Sequence, residues 1–115
     1  SFGHPIQALS DLEEAVGHYT ARATEKLRKG QLYAGELMVF IRTNPFRASI
    51  PQYSRSASVR LVTPTQDSRV ITRQAMMLLR SLYRDGFDYA KAGVMLSELV
   101  GGIGLQTDLF ETSSN

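Results

Sequence analysis

The order of apolar periodicities along this chain restricts it to a few folds. Apolar residues recur at helical spacing over residues 10–29 and again over about 68–84. Four other segments are rich in β-favouring residues or alternate in polarity, namely 2–9, 31–44, 53–63 and 89–99. A helix repeats every ~3.6 residues and a strand every two, so the predicted order is β-α-β-β-α-β. This order is typical of the α+β ferredoxin-like fold, or split βαβ, in which two helices cover one face of a four-stranded antiparallel sheet.

The helix boundaries carry local signals. Ser10 with Glu13 three residues later forms a capping-box pattern at the start of the first helix, and Gly30 follows its last basic turn. Either Asp67 or Ser68 is predicted to cap the second helix. Along the sequence, one helix precedes and the other follows the central pair of strands, as the split βαβ order requires.

Length and composition exclude several classes of protein. The 115 residues supply one domain, and the 43% hydrophobic and 21% charged fractions are ordinary for a globular domain. No stretch approaches the roughly 18 apolar residues of a membrane span, and no basic segment followed by an apolar run marks a signal peptide. We therefore expect a cytoplasmic protein. Because the sequence starts at Ser1 with strand-like residues, we also expect a domain of a longer protein.

The residues that usually carry catalysis or metal binding are scarce. Cysteine is absent, which excludes disulfides and thiolate chemistry, and His4 and His18 are too far apart in the sequence to indicate a metal site. Glu13 and Glu14 are adjacent on a helix and so point in different directions. The glycines within 101–104 follow a strand but open no helix, unlike a phosphate-binding loop. No catalytic residue, metal or cofactor is predicted for this fragment.

Basic residues concentrate in the middle of the chain. Eight arginines lie from Arg42 to Arg84 against a single acid, Asp67, and a solvated surface is one interpretation of such a run. The two-residue period of the strands instead places four polar residues on the sheet face that the helices leave open, and four more near its ends. The first four are Ser56, Ser58, Arg60 and Lys91, and the others are Arg42, Thr43, Arg47 and Arg55. We therefore expect the basic run to gather on this open face.

A sheet face of this composition favours a nucleic-acid duplex as its partner. Arginine forks and hydroxyls bind phosphate oxygens, which position a protein on a duplex without reading bases. Binding of single-stranded RNA through this topology needs aromatic side chains on the central strands instead. Phe40, among apolar neighbours, is predicted to lie in the core, and Tyr33 and Tyr53 lie at strand ends. The residues thus predict binding to the backbone of a duplex.

The tail holds two large apolar residues in a polar, glycine-rich context. The segment "QTDLF" at 106–110 places Leu109 and Phe110 beyond the glycines that end the last strand. Either the two side chains pack back onto the domain or they are held out for a partner. We expect a domain of residues 1–100 and a flexible tail of residues 101–115.

Several longer motifs resemble a known family. They are "SFG" at 1–3, "FIRTNPF" at 40–46, "SASVRLVTPTQDSR" at 56–69 and "YAKAGVML" at 89–96. Together they resemble the C-terminal part of Y-family translesion DNA polymerases, and most of all the UmuC-type proteins, the catalytic subunits of bacterial DNA polymerase V and its plasmid-borne relatives. In that family the region is the little finger, a βαββαβ domain that lays its sheet along the major groove of primer-template DNA. The resemblance implies that phosphates are touched by Arg42, Thr43, Arg55, Ser56, Ser58 and Arg60.

The resemblance also implies what lies outside these residues. The palm of such polymerases holds the carboxylates and two Mg²⁺ ions for nucleotidyl transfer, so this fragment is expected to bind DNA while its parent polymerises. Polymerase V members work with UmuD′ and RecA in the SOS response, and the sequence does not place those contacts on this chain. The alternative is a ferredoxin-like domain that serves oligomerisation or small-ligand binding, with its basic face merely solvated.

Past the last strand, "QTDLF" resembles the peptide by which these polymerases bind the sliding clamp. The resemblance implies an extended peptide in which Leu109 and Phe110 fill an apolar pocket of the clamp and Gln106 hydrogen-bonds at its rim. Thr107 departs from the family, which often has leucine there. Clamp affinity is accordingly expected to be lower than for the strongest versions of the peptide.

Overall fold

Six elements make up the part of the chain that the computed structural model describes, residues 2–101 and 108–112. They are α1 (Leu9–Lys29), β1 (Leu32–Thr43), β2 (Ser54–Thr65), α2 (Ser68–Leu82), β3 (Tyr89–Gly101) and β4 (Asp108–Thr112). The strands form one antiparallel sheet in the order β2-β1-β3-β4, and both helices pack against it and against each other. The predicted fold class, two helices on a four-stranded antiparallel sheet, is confirmed.

Helix α1 forms because one of its faces is apolar along its whole length. Leu12, Val16, Ala23 and Leu27 are completely buried on that face. The predicted capping box is wrong, because the helix begins at Leu9 and its N-cap is Ala8, which makes no side-chain cap bond. Ser10 therefore lies inside the first turn, where its hydroxyl is past the capping position.

Helix α2 begins at the predicted cap. The side chain of Asp67 accepts a hydrogen bond from the backbone N–H of Arg69 at 2.9 Å, and this bond holds the pKa of the Asp67 carboxyl below its ordinary value. The buried stripe of the helix includes Ile71, Ala75 and Leu79. One cap bond and one apolar stripe thus fix both the start and the orientation of α2.

Strand β1 is the centre of the sheet, since β2 pairs with one of its edges and β3 with the other. Leu37, Val39 and Ile41 on β1 are completely buried beneath the helices. The residues between them point to the opposite face because successive side chains on a strand alternate. The period-two pattern therefore separates a core face from the open face.

The fourth strand of the sheet comes from the tail rather than from the start of the chain. Within the predicted first strand at 2–9, only Ile6 forms a β-bridge, with Tyr89, while the N–H of Phe2 donates to Ala90 O at 3.0 Å. Residues 108–112 pair instead with residues 93–97 of β3. Residues 108–112 therefore differ from the expected flexible tail, because pairing covers a strand edge that would otherwise expose unpaired N–H and C=O groups.

Candidate nucleic-acid interface

The open face of the sheet is built from cross-strand rows, because residues paired directly opposite each other point to the same side. From one end of the sheet to the other, the rows are Ser54–Arg42–Lys91, Ser56–Phe40–Gly93–Thr112, Ser58–Met38–Met95–Phe110 and Arg60–Glu36–Ser97–Asp108. No helix lies over these rows. On this face all four strands present side chains together.

Five of the predicted contact residues do share this face, and we name them the basic border: Arg42, Ser56, Ser58, Arg60 and Lys91. The three from β2 follow one another at every second position along the edge strand and are exposed. Arg42 and Lys91 lie opposite each other at the end of the sheet and are half-buried. The border therefore runs along one edge of the open face and around one of its ends.

The cations of the basic border make no ion pair in the described part of the chain, although Glu36 lies directly opposite Arg60 in its row. Within residues 2–101 and 108–112, no ion pair joins a carboxylate to Arg42, Arg60 or Lys91. Arg42 donates one hydrogen bond to the carbonyl of the neighbouring Thr43, with Nη1 to O at 3.1 Å. Because the remaining donors make no ion pair in the described chain, they are available to an anion from outside the domain.

Five cations of the two helices do make ion pairs. The five ion pairs of the described chain involve cations on or beside the helices, namely Arg22, Lys26, Lys29, Arg69 and Arg80. The expectation that the whole basic run gathers on the open face is therefore wrong for Arg69, Arg73 and Arg80. Those three residues belong to α2, and α2 packs on the other face of the sheet.

Thr43 requires a correction, because its side chain is structural. It is 2% exposed, its Oγ1 donates to Gln52 Oε1 at 3.0 Å, and the same oxygen accepts from the N–H of Tyr53 at 3.0 Å. Thr43 continues the core-facing positions Leu37, Val39 and Ile41 of β1. The hydroxyl is used to close the connection between β1 and β2 and does not reach the open face.

The two remaining predicted arginines lie beside the open face rather than on it. Arg55 pairs with Ile41, whose side chain is in the core, so Arg55 points to the helix side at the edge of β2, with its guanidinium carbon 5.7 Å from the ring centre of Tyr53. Arg47 lies in the connection between β1 and β2, where its carbonyl accepts from Gln52 Nε2 at 3.1 Å. Both side chains are exposed, and both flank the Arg42 end of the basic border.

The centre of the open face is apolar, which the sequence analysis missed. Met38, Phe40, Met95 and Phe110 form what we call the apolar strip, and Phe110 is 54% exposed. The prediction that Phe40 lies in the core is wrong, because it pairs with Ser56 and Gly93 on the open face. Strict alternation from the buried residues of β1 would have placed it correctly.

The residues predicted to bind a clamp are divided by the structure. Gln106 lies outside the described residues. Leu109 is 4% exposed and pairs with Leu96 in the core, whereas Phe110 lies on the open face. Glu111 points to α1, where Lys26 Nζ lies 2.6 Å from Oε2 and Arg22 Nε lies 3.3 Å from Oε1. Of the two alternatives that the sequence left open for the apolar pair, Leu109 packs back onto the domain.

Other features of the domain are structural. Burial raises the pKa of the Tyr89 hydroxyl, whose oxygen also accepts from the N–H of Arg84 at 3.1 Å. Across the two described ranges, no cluster of three or more histidine or acidic side chains has a geometry suited to a metal ion. None of the helices there combines the length and apolarity needed to span a membrane. The open face therefore remains the candidate site.

Comparison with known proteins agrees with this architecture. Residues 1–109 match the model of the impB/mucB/samB family C-terminal domain. Protein MucB of Salmonella typhimurium and protein UmuC of Salmonella typhimurium strain LT2 are each 41% identical over 114 residues, and protein MucB of Escherichia coli is 42% identical. These alignments cover 99% of this chain and 27% of each relative. The resemblance predicted from the motifs is confirmed, and the chain belongs to the impB/mucB/samB family as a UmuC-type C-terminal, or little-finger, domain.

Proposed function

We propose that this domain grips the sugar-phosphate backbone of duplex DNA with the open face of its sheet. The observation that carries the proposal is the basic border, whose three cations make no ion pair in the described chain, whereas five cations of the helices do. Phosphate contacts supply most of the affinity of such an interface and orient the protein without reading the sequence. The border therefore supports a sequence-independent grip.

The arrangement of β2 is suited to this task. Ser56, Ser58 and Arg60 project from an edge strand at intervals of about 6.6 Å, twice the rise per residue. The small hydroxyl residues let the strand approach the duplex closely, while Arg60 offers a planar fork to a phosphate. Arg42 and Lys91 add charge at the end of the sheet, beside the exposed Arg47 and Arg55.

The proposed parent is an error-prone translesion DNA polymerase of the SOS response, and this domain is its DNA-holding part. The proposal is supported by the membership in the family and by the likeness to UmuC. Since the chain spans about a quarter of the length of its curated relatives, we place the palm, with its Mg²⁺ ions, elsewhere in the parent. UmuD′ and RecA are proposed partners of that parent, which we expect to act in the bacterial cytoplasm.

The tail is proposed to recruit the polymerase to the sliding clamp. The support is the resemblance of "QTDLF" to the clamp-binding peptide and the exposure of Phe110 on the strand edge. In the clamp-bound peptide, Leu109 and Phe110 enter an apolar pocket and Gln106 bonds at its rim. Large apolar anchors of this kind commonly contribute about 2 kcal/mol or more each.

A salt titration tests the DNA grip. Fluorescence anisotropy with a labelled primer-template should show that affinity falls as the salt concentration rises. If the three border cations each neutralise one phosphate, the slope of log affinity against log salt concentration should be about −2.7 or steeper. A single-stranded oligonucleotide of equal length is the control, because Phe40 and Phe110 offer rings on which unpaired bases stack.

Two outcomes would overturn the DNA grip. One is the absence of duplex binding at low salt, and the other is an affinity that stays flat between low and moderate salt. Either result together with self-association of the domain would favour the alternative, an oligomerisation module. Stronger binding to the single strand than to the duplex would overturn the duplex assignment and move the interface to the apolar strip.

A further inference from the structure

We infer that residues 108–112 have two mutually exclusive positions, strand β4 of this domain and the clamp-bound peptide, so that docking of β4 restrains recruitment to the clamp. The inference rests on the clamp-binding role proposed above. It adds that the domain regulates its own tail through α1 and β3.

Leu109 cannot serve both positions at once. In the domain it is 4% exposed, pairs with Leu96 on β3, and belongs to the same core as α1. In the proposed clamp complex the same side chain fills a pocket on another protein. Clamp binding therefore requires β4 to leave the sheet, because no exposed face of Leu109 remains while β4 is paired.

Glu111, the next core-facing residue of β4 after Leu109, also stabilises the docked position. Its side chain is 10% exposed and makes ion pairs with Arg22 and Lys26 of α1, two side chains that are themselves more than half exposed. A carboxylate at this depth is stable only while its partners compensate the lost hydration. The two cations therefore stabilise the docked position of β4, although neither of them belongs to the clamp-binding peptide.

The other three strands pair without β4. This strand has five residues and pairs with β3 alone at the edge of the sheet, whereas β1 pairs with both β2 and β3, and the helices pack against these three strands. A short edge strand opens at lower cost than the body of a sheet. When only part of the population is competent to bind, the apparent affinity falls by that fraction.

Removing the two cations provides the first test. In the full chain, the Arg22→Ala/Lys26→Ala variant should bind a bacterial sliding clamp about threefold to tenfold more tightly, since two ion pairs that favour docking are lost. The Arg28→Ala/Lys29→Ala variant removes the same charge from the same helix without touching Glu111 and should match the unmodified chain. Circular dichroism should show that both variants keep the fold.

A reversible lock provides the second test. Ser97 and Asp108 are direct partners in the pairing of β3 with β4, and such partners lie about 4.5–5.5 Å apart, within the range that a disulfide bridges. The sequence contains no other cysteine, so a Ser97→Cys/Asp108→Cys variant forms one defined cross-link. Oxidation should reduce clamp affinity at least about tenfold, and reduction of the same sample should restore it.

The outcomes separate this inference from the clamp-binding role itself. A synthetic peptide of residues 102–115 tests that role alone, and its failure to bind the clamp would overturn both. A peptide that binds, together with equal clamp affinity of the oxidised and reduced lock and no gain from Arg22→Ala/Lys26→Ala, would overturn the inference and leave the clamp-binding role intact. A gain in the cation variant with a loss in the oxidised lock supports the inference.

Discussion

The ring of Phe40 lies over Gly93 on the open face, so close that a Cβ at position 93 would be 2.5 Å from Cε1 of the ring. The same Cβ would be 2.8 Å from Cγ2 of Thr112 on β4. The missing side chain of Gly93 thus lets a central strand carry an aromatic ring flat against the sheet. The ring of Phe40 on β1 and the side chain of Thr112 on β4 both lie close to the space that a Cβ of Gly93 would occupy.

This relationship predicts the effect of Gly93→Ala. The new methyl group must displace the Phe40 ring or Thr112, so the variant should lose about 1–3 kcal/mol of unfolding free energy, as overpacked sites typically do. Gly3→Ala is the matched control, because a Cβ at Gly3 would meet nothing within 4 Å. Urea denaturation measures both, and equal stability of the two variants would contradict the tight contact.

Arg60→Ala should weaken duplex binding without changing sequence preference. Removal of one phosphate contact lowers the magnitude of the salt slope by about 0.9, and the loss should be similar for every duplex tested because the contact reads no base. Arg73→Ala, on the helix side, provides a control with the same change of charge. A marked shift in preferred sequence would argue against a backbone contact.

Thr43→Val should affect stability but not the DNA interface. The valine keeps the size but leaves Gln52 Oε1 and the N–H of Tyr53 without their partner, at a cost of about 1–3 kcal/mol. The salt slope of duplex binding should stay the same. Ser58→Ala, on the exposed edge strand, should weaken duplex binding and leave stability unchanged. A DNA-binding defect of Thr43→Val at full stability would refute the structural role of Thr43.

Substitutions of Leu109 and Phe110 should have different effects on stability and the same effect on clamp binding. Leu109→Ala removes a buried side chain and should cost about 2–3 kcal/mol, whereas Phe110→Ala, at a site 54% exposed, should cost less. The double variant should lose clamp binding and keep duplex binding. Thermal denaturation distinguishes the single variants, and clamp affinity retained by the double variant would exclude the peptide as the anchor.

Asp67 predicts a pH-dependent contribution to stability. Its pKa in the folded state is lowered mainly by the hydrogen bond from the N–H of Arg69. The cap therefore stabilises the fold above the pKa of the unfolded chain, and this stabilisation disappears as the pH falls through the folded-state pKa. Asp67→Ala should be less stable than the unmodified chain at neutral pH, and the difference in urea midpoint should vanish in acid. A difference that persists in acid would assign the effect to something other than the carboxylate.

The sequence predicted the face of Ser56, Ser58, Arg60 and Lys91 because alternation along a strand is a local property. It misplaced Phe40 because the neighbours of this residue are apolar on both faces, so composition hides the alternation. The cap at Asp67 and the apolar stripe of α2 could be predicted for a similar reason, since both are encoded within a few residues.

The position of β4 had no local signal of comparable strength. Leu109 and Glu111 find their partners on β3 and α1, many residues away in the chain. Glycines before a short polar segment are equally compatible with a linker and with a return to the sheet. The burial of Thr43, by contrast, follows from the period-two pattern, since Thr43 continues the core-facing positions Leu37, Val39 and Ile41 of β1.

The outer edge of β3 has a consequence for the way this domain is connected. Phe2 bonds at Ala90 and Thr112 pairs with Gly93, so the first and last described residues lie about 10 Å apart along one strand. The two ends of the described chain therefore lie beside each other along β3. A domain attached at one point can turn as a rigid body on that attachment, and the open face keeps its shape while its direction changes.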